Sequence, residues 1–264
     1  MLRVGSWIVA ITAIGALLGP LLTPYDPSTQ NLALRLMGPS FSHPLGLDEL
    51  GRDILVRLAT GGRISFLVGL TVVSASATIG TLLGSVAGYF GGLVDEVISR
   101  IIDTLMAFPG LLLAIALVAV LGPSLMNVLF ALTIIGWVGY ARLVRGQVLR
   151  TRELEYVQAA RALGARTPRI LWRHVVPSVL PSVVVQATLG MAGAIIGEAA
   201  LSFLGLGVQP PTPSWGTMLN GGRAHLLDAP HLALMPGLAI AMLVLGFNFL
   251  GDGLRDRLDP KRRR

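Results

Sequence analysis

Residues 104–141, TLMAFPGLLLAIALVAVLGPSLMNVLFALTIIGWVGYA, run without a single charged side chain. A helix needs about 20 apolar residues to cross the hydrocarbon core of a bilayer. The stretch is too long for one ordinary span and long enough for two. Gly122-Pro123, followed by Ser124, sits near its middle and reads as a tight turn between them. Pro109 starts or kinks the first of the pair. Four more uncharged stretches lie outward from it: Val4–Tyr25, Ile64–Val94, His174–Gly197 and Ala229–Gly251. The reading is six spans, at roughly 5–22, 66–88, 105–121, 126–143, 182–204 and 231–250.

Composition points the same way. Apolar residues make up 53% of the chain and charged residues 13%. A soluble domain carries about 25% charge. With half of that, the surface that remains has to face lipid. There is no cysteine, which excludes disulfides, thiolate metal sites and a cysteine nucleophile. The first apolar run follows Arg3, as in a secretory signal. It exceeds the usual signal length, however, and Leu21-Leu22-Thr23-Pro24-Tyr25 is a poor cleavage site. It reads as a retained anchor.

Six spans put both termini on one side, together with the 89–104 and 142–181 connections. That side holds Arg3, Arg100, the eight arginines from Arg142 to Arg173, and Arg255, Arg257, Lys261, Arg262, Arg263 and Arg264. The other side holds only Arg35, Arg52, Arg57, Arg63 and Arg223. Basic residues favour the cytoplasm, so both termini are expected there. The net charge of +7 thus reads as topology and anionic-lipid contact, not as nucleic-acid binding.

The chain divides into residues 1–63 (first helix and outer segment), 64–255 (core) and a basic tail, 256–264. In the outer segment, Asp53–Ile64 alternates Ile54, Leu55 and Leu58 with arginines and suits a helix lying at the interface. The 89–104 connection, with Asp95, Glu96, Arg100 and Asp103 among valines and isoleucines, suits another. The second span carries Gly80, Gly84 and Gly88, a spacing that lets helix backbones approach closely in lipid. Residues 205–230 read as a rigid loop with Trp215 as an interfacial anchor.

The 142–181 connection is too polar for lipid and too patterned for a floppy loop. Glu153–Leu163 is helix-forming, Gly164 falls where a helix stops, and Thr167-Pro168 reads as the cap and first residue of a second helix over 168–176. Pro177 and Pro181 lead into the fifth span. Two readings stand on pattern alone: a lever that docks on a partner, and an arginine-rich loop that only fixes topology. A helix-turn-helix DNA reader is argued against by tethers to membrane spans at both ends.

Gln158-Ala159-Ala160-x-x-x-Gly164 with Pro177 thirteen residues on resembles the E-A-A-x3-G-x9-I-x-L-P loop of ABC importer permeases. Gln158, His174 and Val176 depart from that pattern. His43–Asp53, Tyr156–Gly164, Arg173-His174 and Glu198–Gly216 are similar to the dipeptide/oligopeptide/nickel permease group, and within it to the "C"-type subunit. The resemblance implies an all-α integral membrane protein with the type I ABC importer permease fold. It implies a pairing with a homologous second permease subunit, two cytoplasmic ABC ATPase subunits bound at the loop (151–181), and an external substrate-binding protein. It assigns ATPase coupling to Gln158, Ala159, Ala160, Gly164, Ala165 and Pro177, and peptides, nickel chelates or other small solutes as cargo.

The chain is not expected to be an enzyme. It has no phosphate-binding G-x-x-x-x-G-K-[S/T] loop, no H-E-x-x-H and no G-x-S-x-G, and its four histidines lie far apart. No cofactor or metal site is expected. Glu198 is the one acidic residue well inside a span. An ionisable group at that depth faces a wet path or a packing partner, and both readings stay open. The competing function is a self-contained secondary transporter or channel, which would favour several midplane charges and an internal repeat.

Overall fold

The computed structural model describes residues 1–258, and the basic cluster Lys261–Arg264 lies outside the described residues. Ten α-helices follow one another: α1 Leu2–Leu22, α2 Ile54–Phe90, α3 Gly92–Met106, α4 Gly110–Leu121, α5 Leu125–Thr151, α6 Glu155–Ala162, α7 Thr167–Ile170, α8 Val176–Phe203, α9 Trp215–Gly222 and α10 His231–Leu258. Five helical limbs are long and apolar enough to cross a membrane, the α7–α8 limb counting as one from Thr167 to Phe203.

The direction of each helix follows from its close contacts. Glycines let α2 lie directly on α5. A Cβ on Gly80 would stand 2.5 Å from Tyr140 Cβ, one on Gly84 3.0 Å from Val144 Cβ, and one on Gly88 2.9 Å from the Arg145 carbonyl. Numbers rise together on both helices, so α2 and α5 are parallel, and the small-residue spacing serves packing inside this subunit. By the same reasoning, Gly69 against Met191 and Ile195 and Gly190 against Val73 make α8 antiparallel to α2. Gly251 against Leu189, with Leu243 and Ile195 in one apolar cluster, makes α10 antiparallel to α8. Gly5 against Gly246 and Leu250, and Gly253 against Leu2, make α1 antiparallel to α10.

The parallel pair settles the third crossing. Helices α3 and α4 meet at 86°, and α4 has 12 residues, about 18 Å at the rise of an α-helix. Neither is a full span. Yet α2 and α5 cannot both run outer-to-inner unless the chain returns between them. Ile102 on α3 packs on Val138 and Ala141, while Gly110 of α4 meets Ile135 and Asn127 donates to the Leu121 and Gly122 carbonyls. The bent pair climbs α5 in two stages and makes the sixth crossing. Leu2 and Leu258 therefore lie at the same face, which also carries α6 and α7.

The third span, expected at 105–121 with Pro109 starting or kinking it, is broken there, and two further expectations are corrected. Pro109 lacks an N–H and pushes Phe108 out of the helical region, so the break falls at Ala107–Pro109. Asp53–Ile64 is no separate interface helix but the first turns of α2, since nothing between Ile54 and Phe90 breaks the helix. Its arginines are satisfied internally: Arg57 Nε lies 3.4 Å from Asp48 Oδ2 and its Nη1 donates to the Pro27 carbonyl, while Arg63 donates to the Ala16 and Leu17 carbonyls of α1. Trp215 is no interfacial anchor. It is buried between α2 and α8 with its indole N–H donating to the Leu58 carbonyl at 2.8 Å.

Candidate functional site

At the inner face, α6 ends on Gly164 (φ +79°). The Gly164 N–H donates to the Arg161 carbonyl and the Ala165 N–H to the Ala160 carbonyl, the paired bonds of a Schellman cap. Open space surrounds Gly164. Its glycine is required by the backbone angle, not by crowding. The chain turns and re-enters a helix at Thr167, capped by the Arg166 backbone rather than by the Thr167 side chain.

The second arm, expected as a helix over 168–176, does not end there. It passes from α7 through a π-helical stretch, Leu171–Val175, straight into α8. Pro177 sits two residues past the stretch, and the Val176 N–H before it reaches back five residues to the Leu171 carbonyl. A proline in a continuous helix has no N–H to donate to the turn before it and crowds that turn, and the π-helical stretch lies in that turn. The elbow's second arm is therefore continuous with a membrane helix.

Val157, Ile170 and Val175 are fully buried and share a core with Val148 of α5 and Val179 of α8. The Tyr156 hydroxyl donates to the His174 carbonyl at 3.3 Å, joining the two arms. Arg152 donates to the Gly88 carbonyl at 2.9 Å, and the Arg161 guanidinium lies over the Tyr89 ring at 5.7 Å. Arg145 and Asp95 form a two-pronged ion pair that ties α5 to α3. The tip is different. Gln158, Ala159 and Gly164 are exposed, Ala160 and Ala165 half-buried, and Leu163 and Trp172 stand 88% and 58% exposed. Small and apolar side chains thus stand bare on a braced base.

Deeper in the bundle, α2, α4, α5 and α8 enclose a recess of about 360 Å³ lined by apolar side chains, glycine backbone, Ser76, Tyr140 and Gln186. No Asp, Glu, Lys or Arg lines it. Glu198 is not among its lining residues either. It is fully buried at the outer end of α8, where its Oε1 accepts from the Ser202 hydroxyl at 2.6 Å. The Ser202 oxygen in turn accepts from the Val208 N–H at 3.1 Å, and a Cβ on Gly216 would stand 2.7 Å from Ser202 Cβ. Glu198 thus belongs to the contact that fastens the 205–216 segment to α8.

The His43–Asp53 motif is also a fastening. Asp53 caps α2 by accepting from the Val56 N–H and pairs with His43 Nδ1 at 2.8 Å. Asp48 accepts from the Leu50 and Arg52 N–H groups and holds both the Arg52 and Arg57 side chains. Sequence reasoning missed the recess. Its signal was present: Gln186, Gly190, Gly193 and Gly197 recur at helical spacing on one face of α8.

A family model described as the binding-protein-dependent transport system inner membrane component matches residues 80–264. A second, the N-terminal TM domain of oligopeptide transport permease C, matches residues 1–39. The chain is 48% identical over 258 residues to the dipeptide transport system permease protein DppC of Alkalihalophilus pseudofirmus, covering 98% of this chain and 85% of that one. It is 48% identical over 258 residues to the glutathione transport system permease protein GsiD of Pectobacterium atrosepticum, covering 97% and 85%. It is 44% identical over 261 residues to the oligopeptide transport system permease protein OppC of Bacillus subtilis, covering 99% and 86%. Among solved structures, an inward-facing MetNI methionine ABC transporter shares the fold with a TM-score of 0.60 at 18% identity, covering 77% of this chain and 96% of that one.

Proposed function

The chain belongs to the family of binding-protein-dependent transport system inner membrane components, and on that premise we propose that it forms half of a pathway for short peptides. It is a multi-pass permease subunit of an ABC importer, served by a separate ATPase and a binding protein, and is not itself the catalytic part. The competing reading as a self-contained transporter falls away with that membership.

The finer assignments are ours. A homologous second permease completes the pathway, and two ATPase subunits dock on the elbows of the pair. The elbow face is cytoplasmic, as the arginine asymmetry argues. The observation that carries the coupling role is mechanical. An exposed tip at Gln158, Ala159, Ala160, Gly164 and Ala165 continues through a helical limb past Pro177 into α8, the helix that also lines the recess. Movement of the docked ATPases turns α8, and the permease pair alternates between inward- and outward-facing states. Peptide cargo is supported by the relatives, whose named solutes are a dipeptide, an oligopeptide and glutathione, itself a tripeptide. Glu198 is assigned to holding the outer segment rather than to contact with cargo.

The test is reconstitution of the full complex in vesicles with labelled dipeptide, longer peptide, glutathione and a nickel chelate. ATP-dependent uptake of one or more peptides is expected. Uptake by this chain without its ATPase, or of nickel alone, would overturn the reading.

A further inference from the structure

Two cavities meet on one residue. The recess between α2, α4, α5 and α8 has a volume of about 360 Å³. A second cavity of about 510 Å³ lies nearer the inner face, lined by Gln147 of α5, Ser182 of α8 and Arg255 of α10. Gln186 lines both. Its backbone carbonyl accepts from the Tyr140 hydroxyl at 3.4 Å, which pins the backbone at that level. Its side-chain amide has no hydrogen-bond partner among the described residues, although it sits within a membrane-crossing limb. A primary amide left against lipid is expensive. At this depth it has to meet water, a partner or a passing solute, and the cavities on either side of it supply the room.

We propose that Gln186 is the cargo-contacting residue at the junction between recess and inner cavity, and that it hydrogen-bonds the neutral amide groups of a peptide backbone. The inference rests on the proposed peptide function and names the residue that would handle that cargo. The chemistry suits a passage rather than a store. An amide offers a donor and an acceptor to any peptide group, whatever the flanking side chain. Because the recess carries no charged side chain, it neither repels nor traps a cargo by its charge. Beyond Gln186, Gly193 faces open space, so the wall there is backbone and a bulky cargo side chain has clearance.

The absence of cysteine from the chain allows a direct test in the complete complex. Single cysteines are introduced as Gln186→Cys, Gly193→Cys and, as a lipid-facing control on α1, Ile11→Cys. Inside-out membrane vesicles are treated with a membrane-impermeant methanethiosulfonate reagent, with and without a neutral tripeptide. Labelling of Gln186→Cys and Gly193→Cys but not Ile11→Cys, with slower labelling when tripeptide and ATP are present, is the expected result. In parallel, Gln186→Leu should lower tripeptide uptake by about fivefold to tenfold, the worth of one neutral hydrogen bond, while ATP hydrolysis by the complex persists. Gln186→Asn should recover part of the loss. An unreactive Gln186→Cys, or wild-type uptake by Gln186→Leu, overturns the assignment of Gln186 and leaves the peptide function standing. If the unsubstituted complex takes up no peptide, the proposed function falls and this inference falls with it.

Discussion

The two ends of the bundle are built on opposite principles. The outer cap joins residues 43–57, the start of α2, α9 and the end of α8 through buried polar contacts: Asp48 with Arg52 and Arg57, His43 with Asp53, Ser202 with Glu198 and Val208, and the Trp215 indole with Leu58. The inner elbow has a buried base but a bare tip, with Leu163 and Trp172 in the open and a glycine in the left-handed region. Polar groups sealed away from water demand that each partner be present. A tip of small and apolar groups demands nothing from its own chain. The cap is a clamp of contacts made within the chain, although Glu198 Oε2 is buried there with no hydrogen-bond partner, and the elbow tip makes few such contacts of its own.

That contrast can be broken most forcefully at Trp215. Trp215→Ala should cost about 3–5 kcal/mol, as for other large buried side chains, and remove the indole's bond to the Leu58 carbonyl. The melting temperature of the detergent-solubilised subunit should drop sharply and its yield fall. A melt unchanged from wild type would show that the cap is no clamp. Asp48→Ala comes next. It strands the buried Arg57, and breaking a buried pair costs about 3–5 kcal/mol, less where water reaches Arg52. Asp48→Asn should recover part of the loss, because the Leu50 and Arg52 N–H groups keep an acceptor.

Gly164→Val tests the other half. A β-branched residue held at that φ costs about 1–2 kcal/mol, confined to an exposed turn. The subunit should insert and melt near normally, while co-purification of the ATPase and ATP-driven uptake are lost. Retained uptake would remove the lever role. Glu198→Gln should do less, since the amide oxygen can still accept from Ser202, and uptake should stay near wild type across pH. A pH-dependent collapse of transport would return Glu198 to the pathway. The smallest effect is expected for Leu163→Ser. As an exposed substitution it should change stability by no more than about 0.5 kcal/mol, yet weaken ATPase binding measurably in a pull-down.

Much of this was legible in the residues. The uncharged runs located the crossings, the arginines of 142–173 marked one face, and Gly164 announced the elbow, because each signal is local: a run length, a charge count, a backbone angle. The signals that misled were those whose meaning depends on neighbours. Arg57 and Trp215 have the composition of interface residues, but carbonyls and carboxylates far along the chain take them into the interior.

The chain's own sequence determined that it crosses a membrane and where it bends outside it. Apolar length and turn chemistry act within one segment. Only the tertiary structure decided that α2 packs directly on α5, that the return crossing bends by 86° between α3 and α4, and that Gln186 meets a cavity while Glu198 is sealed in the cap. In lipid both faces of a helix are apolar, so periodicity says little about which face meets which neighbour. Close packing at glycines such as Gly80, Gly84 and Gly88 makes that choice.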